Sequence, residues 1–226
     1  MVKQIKFYFR FFKSTIRRTL FNNTSTQRTF TQIHSTNKWG DNESVSGSGS
    51  NLEQTANLLN ILPEIFKKYD IKSILDIPCG DFNWMKNVNL ESVRYIGADI
   101  VEPIISRNQQ KYAKDGIEFR VLDLTKDELP TTDLIFCRDC LVHLSYEHIN
   151  KALANIKKSK SKYLLTTTFV ETGRNYDIAT GDWRPLNLIK SPFSLSSPLE
   201  VINEGYFKIG EESADKSLLL YEIKVI

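Results

Sequence analysis

Short apolar runs with polar ends recur along the second two-thirds of the chain. They predict strands over residues 73–77, 94–100, 118–124, 133–137 and 162–170. Such short apolar runs with polar ends are what buried parallel strands have. Residues 103–115 and 145–159 lie between runs and suit crossover helices. Strand and helix in alternation predict an α/β, doubly wound, mostly parallel sheet. Two last runs, 205–209 and 217–224, are close enough to form a terminal hairpin. Ahead of the first strand, Ser50 and Glu53 have capping-box spacing. Leu52, Leu58, Leu59, Leu62, Ile65 and Phe66 follow with helical recurrence, so a helix starts there and bends or restarts at Pro63.

Before residue 51 the pattern changes. Lys3, Lys6, Arg10, Lys13 and Arg17 fall on one stripe of a helix over residues 1–20, while Ile5, Tyr8, Phe9, Phe12 and Ile16 fall on another face. This basic amphipathic helix is expected to pack on its own domain, on a partner subunit or on an anionic membrane surface. Residues 21–50 are rich in Asn, Thr, Ser and Gly and show no sustained period, so they read as a polar linker. The main domain is expected to cover residues 51–226.

Composition narrows the class. A chain of 226 residues with 41% hydrophobic and 25% charged positions supports one folded domain plus an appendage. No apolar stretch reaches the roughly 18 residues of a spanning helix, and the charged N-terminus lacks the apolar centre of a secretory signal. With Cys79, Cys137 and Cys140 too few for a disulfide framework, the expected location is the cytoplasm. A net charge of +3 decides little, since a strongly basic nucleic-acid surface would need a larger excess or an obvious cluster.

In a doubly wound sheet the ligand lies beyond the carboxyl ends of the strands. There the acids line up. Asp76 closes the first strand ahead of a tight turn containing Cys79 and Gly80, Asp99 ends the second, and Asp123 with Leu124 ends the third. An acid about 20 residues past the first turn is placed to hold a ribose diol. A dinucleotide would need a Gly-x-Gly-x-x-Gly turn for its pyrophosphate, and this turn has only Gly80. Asp76 and Asp81 would repel phosphates, which favours a nucleoside cofactor with a cationic end.

The segments Ile-Leu-Asp-Ile-Pro-Cys-Gly-Asp, Tyr-Ile-Gly-Ala-Asp-Ile, Leu-Asp-Leu and Asp-Leu-Ile-Phe-Cys-Arg-Asp-Cys-Leu-Val-His-Leu, in that order, resemble the class I S-adenosylmethionine-dependent methyltransferases. The resemblance runs over about residues 50–226 and implies a Rossmann-like seven-stranded sheet whose last strand is antiparallel. It implies that Asp76 and Gly80, with Cys79 beside them, surround the methionine part of the cofactor. Asp99 and Ile100 would take the ribose, Asp123 and Leu124 the adenine, and Arg138 the methionine end. Pro78 and Phe82 depart from it, standing where the family usually has glycines.

His143 and Asp139 flank the cofactor end of the fourth strand and are the two candidates for a base that takes the acceptor's proton. Cys137 and Cys140 form a Cys-x-x-Cys at the start of a helix, which raises a redox pair or, with His143 and His148, a zinc site. All four lie within 12 residues of one strand and helix rather than on separate knuckles. They read as inert thiols, and no metal is assigned. A roughly 30-residue connection follows the fifth strand and is expected to lid the acceptor site and, over residues 172–198, to select the acceptor; its Trp183, Arg184 and Asn187 offer a stacking plane and hydrogen-bonding groups. The loop from Trp39 to Ser50 is expected to close over the cofactor.

The expected function is methyl transfer to a hydroxyl of a small polar acceptor. Resemblance of the Arg-Asp-x-Leu-Val-His-Leu and Arg-Pro-Leu-Asn-Leu segments to glycan-associated methyltransferases points to a sugar or nucleotide-sugar. The alternatives are a nucleic-acid methyltransferase and a catalytically silent subunit that binds the nucleoside or a partner.

Overall fold

The computed structural model describes residues 25–205 and 215–226; the basic stripe expected over residues 1–20 lies outside them. Seven strands form one sheet in the order β3-β2-β1-β4-β5-β7-β6. They are β1 (Ser73–Asp76), β2 (Arg94–Asp99), β3 (Ile117–Val121), β4 (Leu134–Cys137), β5 (Tyr163–Phe169), β6 (Glu200–Asn203) and β7 (Lys216–Glu222). The first five pair in parallel, while β7 runs antiparallel to both β5 and β6. This is the doubly wound, seven-stranded architecture that the apolar runs and the resemblance imply.

Because successive strand residues face opposite ways, each apolar run feeds two cores. Ile74, Leu134, Phe136, Leu165, Leu218 and Leu220 join one cluster, while Leu75, Ile135, Cys137, Leu164, Leu219 and Tyr221 join the other. Helix α3 (Leu58–Lys68) buries Leu58, Leu62, Ile65 and Phe66 in the first cluster, where Ile105 of α4 (Glu102–Tyr112) also lies. Helix α5 (Tyr146–Lys158), capped by the Ser145 hydroxyl, buries Ile149, Ala152, Leu153 and Ile156 in the second. No described helix is long and apolar enough to cross a membrane.

Four sequence expectations shift. Residues 21–50 are not all linker: helix α1 spans Thr26–Ser35, capped by Ser25. Its apolar signal is only Phe30 and Ile33, and it is held by docking rather than by propensity. Thr29 and Ile33 pack so closely on Gly181 (φ +93°) that a Cβ there would lie 2.6 Å from the Thr29 methyl. The helix after the linker is capped by Asn51, not Ser50, and the break falls at residues 56–57, between α2 (Leu52–Thr55) and α3. Pro63 sits inside α3 without ending it. The hairpin partner of β7 is β6 at Glu200–Asn203; of the expected 205–209 run, residues 206–209 lie outside the described residues. Finally, Cys140 does not open an α-helix; a single 3₁₀ turn, Leu141–His143, follows it.

The long connection after β5 is neither lid nor coil but a packed element. Ile178, Leu186 and Leu188 are fully buried, and two asparagines lock its path. Asn175 Nδ2 donates to the carbonyls of Asn187 (2.8 Å) and Ser191 (2.9 Å), while its Oδ1 accepts the Asn187 amide (2.9 Å). Asn187 Nδ2 donates to the Val170 (3.1 Å) and Thr172 (3.2 Å) carbonyls, and its Oδ1 accepts the Ile189 amide (3.1 Å). Asn187→Ala deletes the side chain that pairs three backbone groups, so it should lower unfolding free energy by about 1–3 kcal/mol in urea titration. A loss below about 0.5 kcal/mol, the size of an ordinary surface substitution, would show that the asparagines do not hold the connection.

Candidate active site

A cavity of about 450 Å³ opens along the carboxyl ends of the parallel strands, a volume suited to a small organic ligand. Its floor comes from residues that close β1 to β5. Its roof comes from α1 and residues 39–50, so the Trp39–Ser50 loop does line the cavity as the sequence suggests. The roof is clasped to the first turn through side chains. Asp81 accepts from the Ser44 hydroxyl and the Val45 amide, both at 3.0 Å, and its own amide donates to Ser46 Oγ at 3.1 Å. Asp81 is thus spent on the roof and is absent from the cavity wall, contrary to the expectation that it faces the cofactor.

The turn after β1 explains its missing glycines. The peptide Ile77–Pro78 is cis, Gly80 is left-handed at φ +54°, and Phe82 takes φ +58°. A non-glycine residue in that region costs on the order of 1 kcal/mol. Here the Phe82 ring is held between Tyr95, Tyr112 and Phe119 at centroid distances of 5.1–5.3 Å, which offsets that cost. The glycine conformation survives without the glycine. Gly80 itself is required twice, since a Cβ would stand 2.2 Å from Ser46 Oγ.

Four acids line the cavity: Asp76, Asp99, Asp123 and, after β4, Asp139. Asp99 is buried, its carboxylate accepting the Gly80 amide (3.2 Å) and the Val101 amide (3.0 Å). Each oxygen keeps a further lone pair for hydroxyl donors. Burial pushes its pKa up to about 6 against those two amides. Asp76 is buried as well and accepts the Tyr95 hydroxyl at 2.6 Å; burial raises it to about 7. Asp123 lies two residues beyond β3 rather than at its end, and its Oδ1 accepts the Thr125 amide and hydroxyl. Cys79, Ile100, Leu124 and Arg138 also line the cavity.

Beneath the β4 and β5 end lies a buried charge network that sequence reasoning found only in part. Arg138 donates to both Glu204 oxygens (3.2 and 2.7 Å) and to the Gly49 carbonyl (2.8 Å), and stands 3.3 Å from Asp139. Lys216 meets Asp139 at 2.5 Å and Glu204 at 3.5 Å. Glu204 and Lys216 were not anticipated, because nothing marks a Glu before Gly205 or a Lys opening a strand as site residues; a charge beside the apolar run of β7 was the available signal. The two cations hold the Asp139 carboxyl down to about 2 despite its burial. Asp139 is consequently a poor proton acceptor, and its expected role as a base gives way to that of a fixed negative charge.

His143 fares differently. Its Nδ1 lies 2.9 Å from the Asp182 carbonyl oxygen, which can only accept, so Nδ1 carries the hydrogen and Nε2 the lone pair. Burial lowers its pKa and keeps it neutral, and Trp39 lies against it at 4.9 Å. The turn bearing it is gripped by residues 181–184: the Gly181 amide donates to the His143 carbonyl (2.8 Å) and the Arg184 amide to the Val142 carbonyl (3.1 Å).

Of the trio expected to meet the acceptor, only Trp183 lines the cavity. Arg184 is fully buried, donating to the Leu141 and Val142 carbonyls and lying over Tyr146; Asn187 is consumed in the connection described above. Cys140 also lines the cavity, but its contact with Cys137 and its burial push the thiol well above its usual pKa. His148 Nδ1 lies 2.6 Å from Thr180 Oγ1. Among the described residues no three His, Cys, Asp or Glu side chains gather as metal ligands.

The order of these acids on the sheet can be set beside known families. Residues 74–160 match the model of the methyltransferase domain. The match covers 87 of the 226 residues, less than half of the chain. It spans β1 through α5 and so contains every strand end that bears a candidate cofactor residue. Solved structures similar to about three-quarters of the chain include the methyltransferase domain of bacterial CtHen1 (12% identity, 76% of this chain and 100% of that one, TM-score 0.55). They also include an S-adenosylmethionine-dependent methyltransferase from Clostridium acetobutylicum (12%, 74% and 91%, 0.55). A third is the N-methyltransferase NodS from Bradyrhizobium japonicum (14%, 77% and 98%, 0.56). At these identities the likeness establishes the fold. No curated protein matches the chain.

The cofactor of the methyltransferase domain is S-adenosylmethionine. The cavity fits it on its own chemistry: two buried carboxylates with raised pKa values lie where hydroxyl donors and a cationic end would relieve their burial. Both folded values exceed the unfolded value near 3.9. Between about pH 4 and 7 the empty protein therefore binds more protons than the unfolded chain, and these groups destabilise it as pH rises. Ligand binding to the ionised pair runs the other way. S-adenosylhomocysteine should bind at least about tenfold more weakly at pH 5 than at pH 8 in calorimetry, with Asp99→Asn flattening the profile. Asp99→Ala should cost about 1.5–3 kcal/mol, roughly 10 to 150-fold in affinity. Parental affinity in Asp99→Ala would remove Asp99 from the cofactor site.

Proposed function

We propose that the protein transfers the methyl group of S-adenosylmethionine to a hydroxyl of a small, ring-shaped polar acceptor, a sugar or nucleotide-sugar, with His143 as the base. The observation that carries this reading is the neutral His143 ring on the cavity wall, its tautomer set by the Asp182 carbonyl. The adenosine end is assigned to Asp99, Ile100, Asp123 and Leu124, and the methionine end to Asp76, Cys79, Gly80 and Arg138.

When bound, the cofactor supplies an electrophilic methyl on a sulfonium. A sugar hydroxyl is barely ionised at neutral pH, so attack gains from a base that removes its proton as the oxygen–carbon bond forms and the carbon–sulfur bond breaks. His143 takes that proton at Nε2. The fixed negative charge of Asp139 raises the proton affinity of the ring and favours the imidazolium that results. Trp39 and Trp183 line the cavity and supply flat apolar surfaces against which a ring can lie.

The test pairs labelled S-adenosylmethionine with nucleotide-sugars, free glycans and RNA. With the acceptor that is methylated, His143→Asn should lower turnover at least about 10²-fold while S-adenosylhomocysteine affinity stays within about twofold. Asp139→Asn removes a charge rather than a proton acceptor, so its loss should be smaller and should come with a more acidic His143 limb in the pH–rate profile. Full turnover in His143→Asn would place the base elsewhere.

A further inference from the structure

The connection after β5 was expected to select the acceptor, yet it gives the cavity only Trp183 among the three side chains proposed for that task. The missing wall comes from α1. Thr26, Phe30 and His34 are spaced i, i+4, i+8, which puts them on one helical face, and all three line the cavity. Thr29 and Ile33, one step round the helix, seat that face by packing on Gly181, and Lys38 Nζ donates to the Gly181 carbonyl at 3.3 Å. Arg28, Gln32 and Ser35 are exposed on the far side.

Position along the sheet separates this wall from the cofactor. The strands run β3-β2-β1-β4-β5, so Asp123 and Asp99 mark one end of the cavity and Phe169 and Trp183 the other. At about 4.8 Å per strand, the β2 and β5 ends stand roughly 14 Å apart. Phe30 belongs to the second end. Its ring lies 6.3 Å from Trp39, which lies 4.9 Å from His143, and opposite them Phe169 and Trp183 meet edge to face at 5.7 Å. The space above the β4 and β5 ends is therefore an aromatic chamber with His34 and His143 as polar groups on its wall.

Resting on the methyl-transfer reading of this cavity, we propose that α1 selects the acceptor: Phe30, with Trp39 and Trp183, holds the faces of a hydroxylated six-membered ring, and His34 hydrogen-bonds its edge. Such a ring has apolar faces and a polar rim, the pattern that an aromatic chamber with a polar group on its wall complements.

Methyl α-glucoside and catechol serve as ring probes, titrated by NMR into the full chain saturated with S-adenosylhomocysteine. At least one should bind the parent. Phe30→Leu, which keeps apolar bulk but removes the ring, should weaken that probe at least tenfold, and His34→Ala at least threefold. Gln32→Ala, on the exposed far face, should leave it unchanged. In calorimetry, S-adenosylhomocysteine affinity should stay within twofold in all three variants, a readout that general loss of structure would move. With normal S-adenosylhomocysteine binding, failure of both probes to bind the parent, or retention of parental probe affinity by Phe30→Leu or His34→Ala, overturns the assignment of α1 alone. A parent that does not bind S-adenosylhomocysteine overturns the methyl-transfer reading and this assignment with it.

Discussion

The salt-bridged contact between Arg138 and Glu204 is where the structure converges. Arg138 closes a central parallel strand, and Glu204 follows the edge strand β6, so the pair joins the parallel half of the sheet to its antiparallel end. Two buried charges are costly to desolvate, and such a pair is retained where its remaining hydrogen-bonding capacity is satisfied. Here it is: the other arm of Arg138 takes the Gly49 carbonyl, and Lys216 bridges Glu204 to Asp139. One buried arginine thereby fixes the floor of the cavity, a point on its roof and the ionisation of Asp139. Removing either partner would leave an unpaired buried charge, a far larger loss than any surface ion pair represents.

The same economy of burial governs the cofactor end. Asp76 and Asp99 are held in a dry cavity with fewer partners than their charge demands, and their pKa values rise accordingly. Asp139 is less enclosed and is lowered, because Lys216 and Arg138 face it. Carboxylates on neighbouring strand ends are thus separated in proton affinity by their neighbours alone, which leaves the strained pair as the ones that gain from a ligand.

Much of this was legible in the sequence, and the reason is physical. Strands buried on both faces leave apolar runs that little else in a chain produces, and acids at their carboxyl ends stand out against them; Asp76, Asp99 and Asp123 were found that way. Helix α1 was not, since it carries only Phe30 and Ile33 as apolar anchors and owes its position to Gly181, about 150 residues away by the spacing of the contacts it makes. Glu204 and Lys216 were invisible for a related reason: a buried charge reads as a surface charge until its partner is known. Arg184 and Asn187 erred in the opposite sense, polar side chains of a long connection that turn inward to satisfy its backbone. Sequence pattern reports what a residue needs from water, and these residues obtain it from distant parts of the chain.

The clasp between roof and floor has a bearing on how the site is assembled. Arg138 reaches back 89 positions to Gly49 and forward 66 to Glu204, and Asn57 donates to the Glu204 carbonyl across 147. Contacts of such separation close late, because the chain between them must first be ordered. The segment that roofs the cavity leaves the ribosome before any strand, yet it has no finished floor to rest on until β6 and β7 have joined the sheet. During synthesis the parallel half can form with its acids in place while the cavity stays open. A ligand present at that stage would meet the ends of β1, β2 and β3 before the roof is fastened over them.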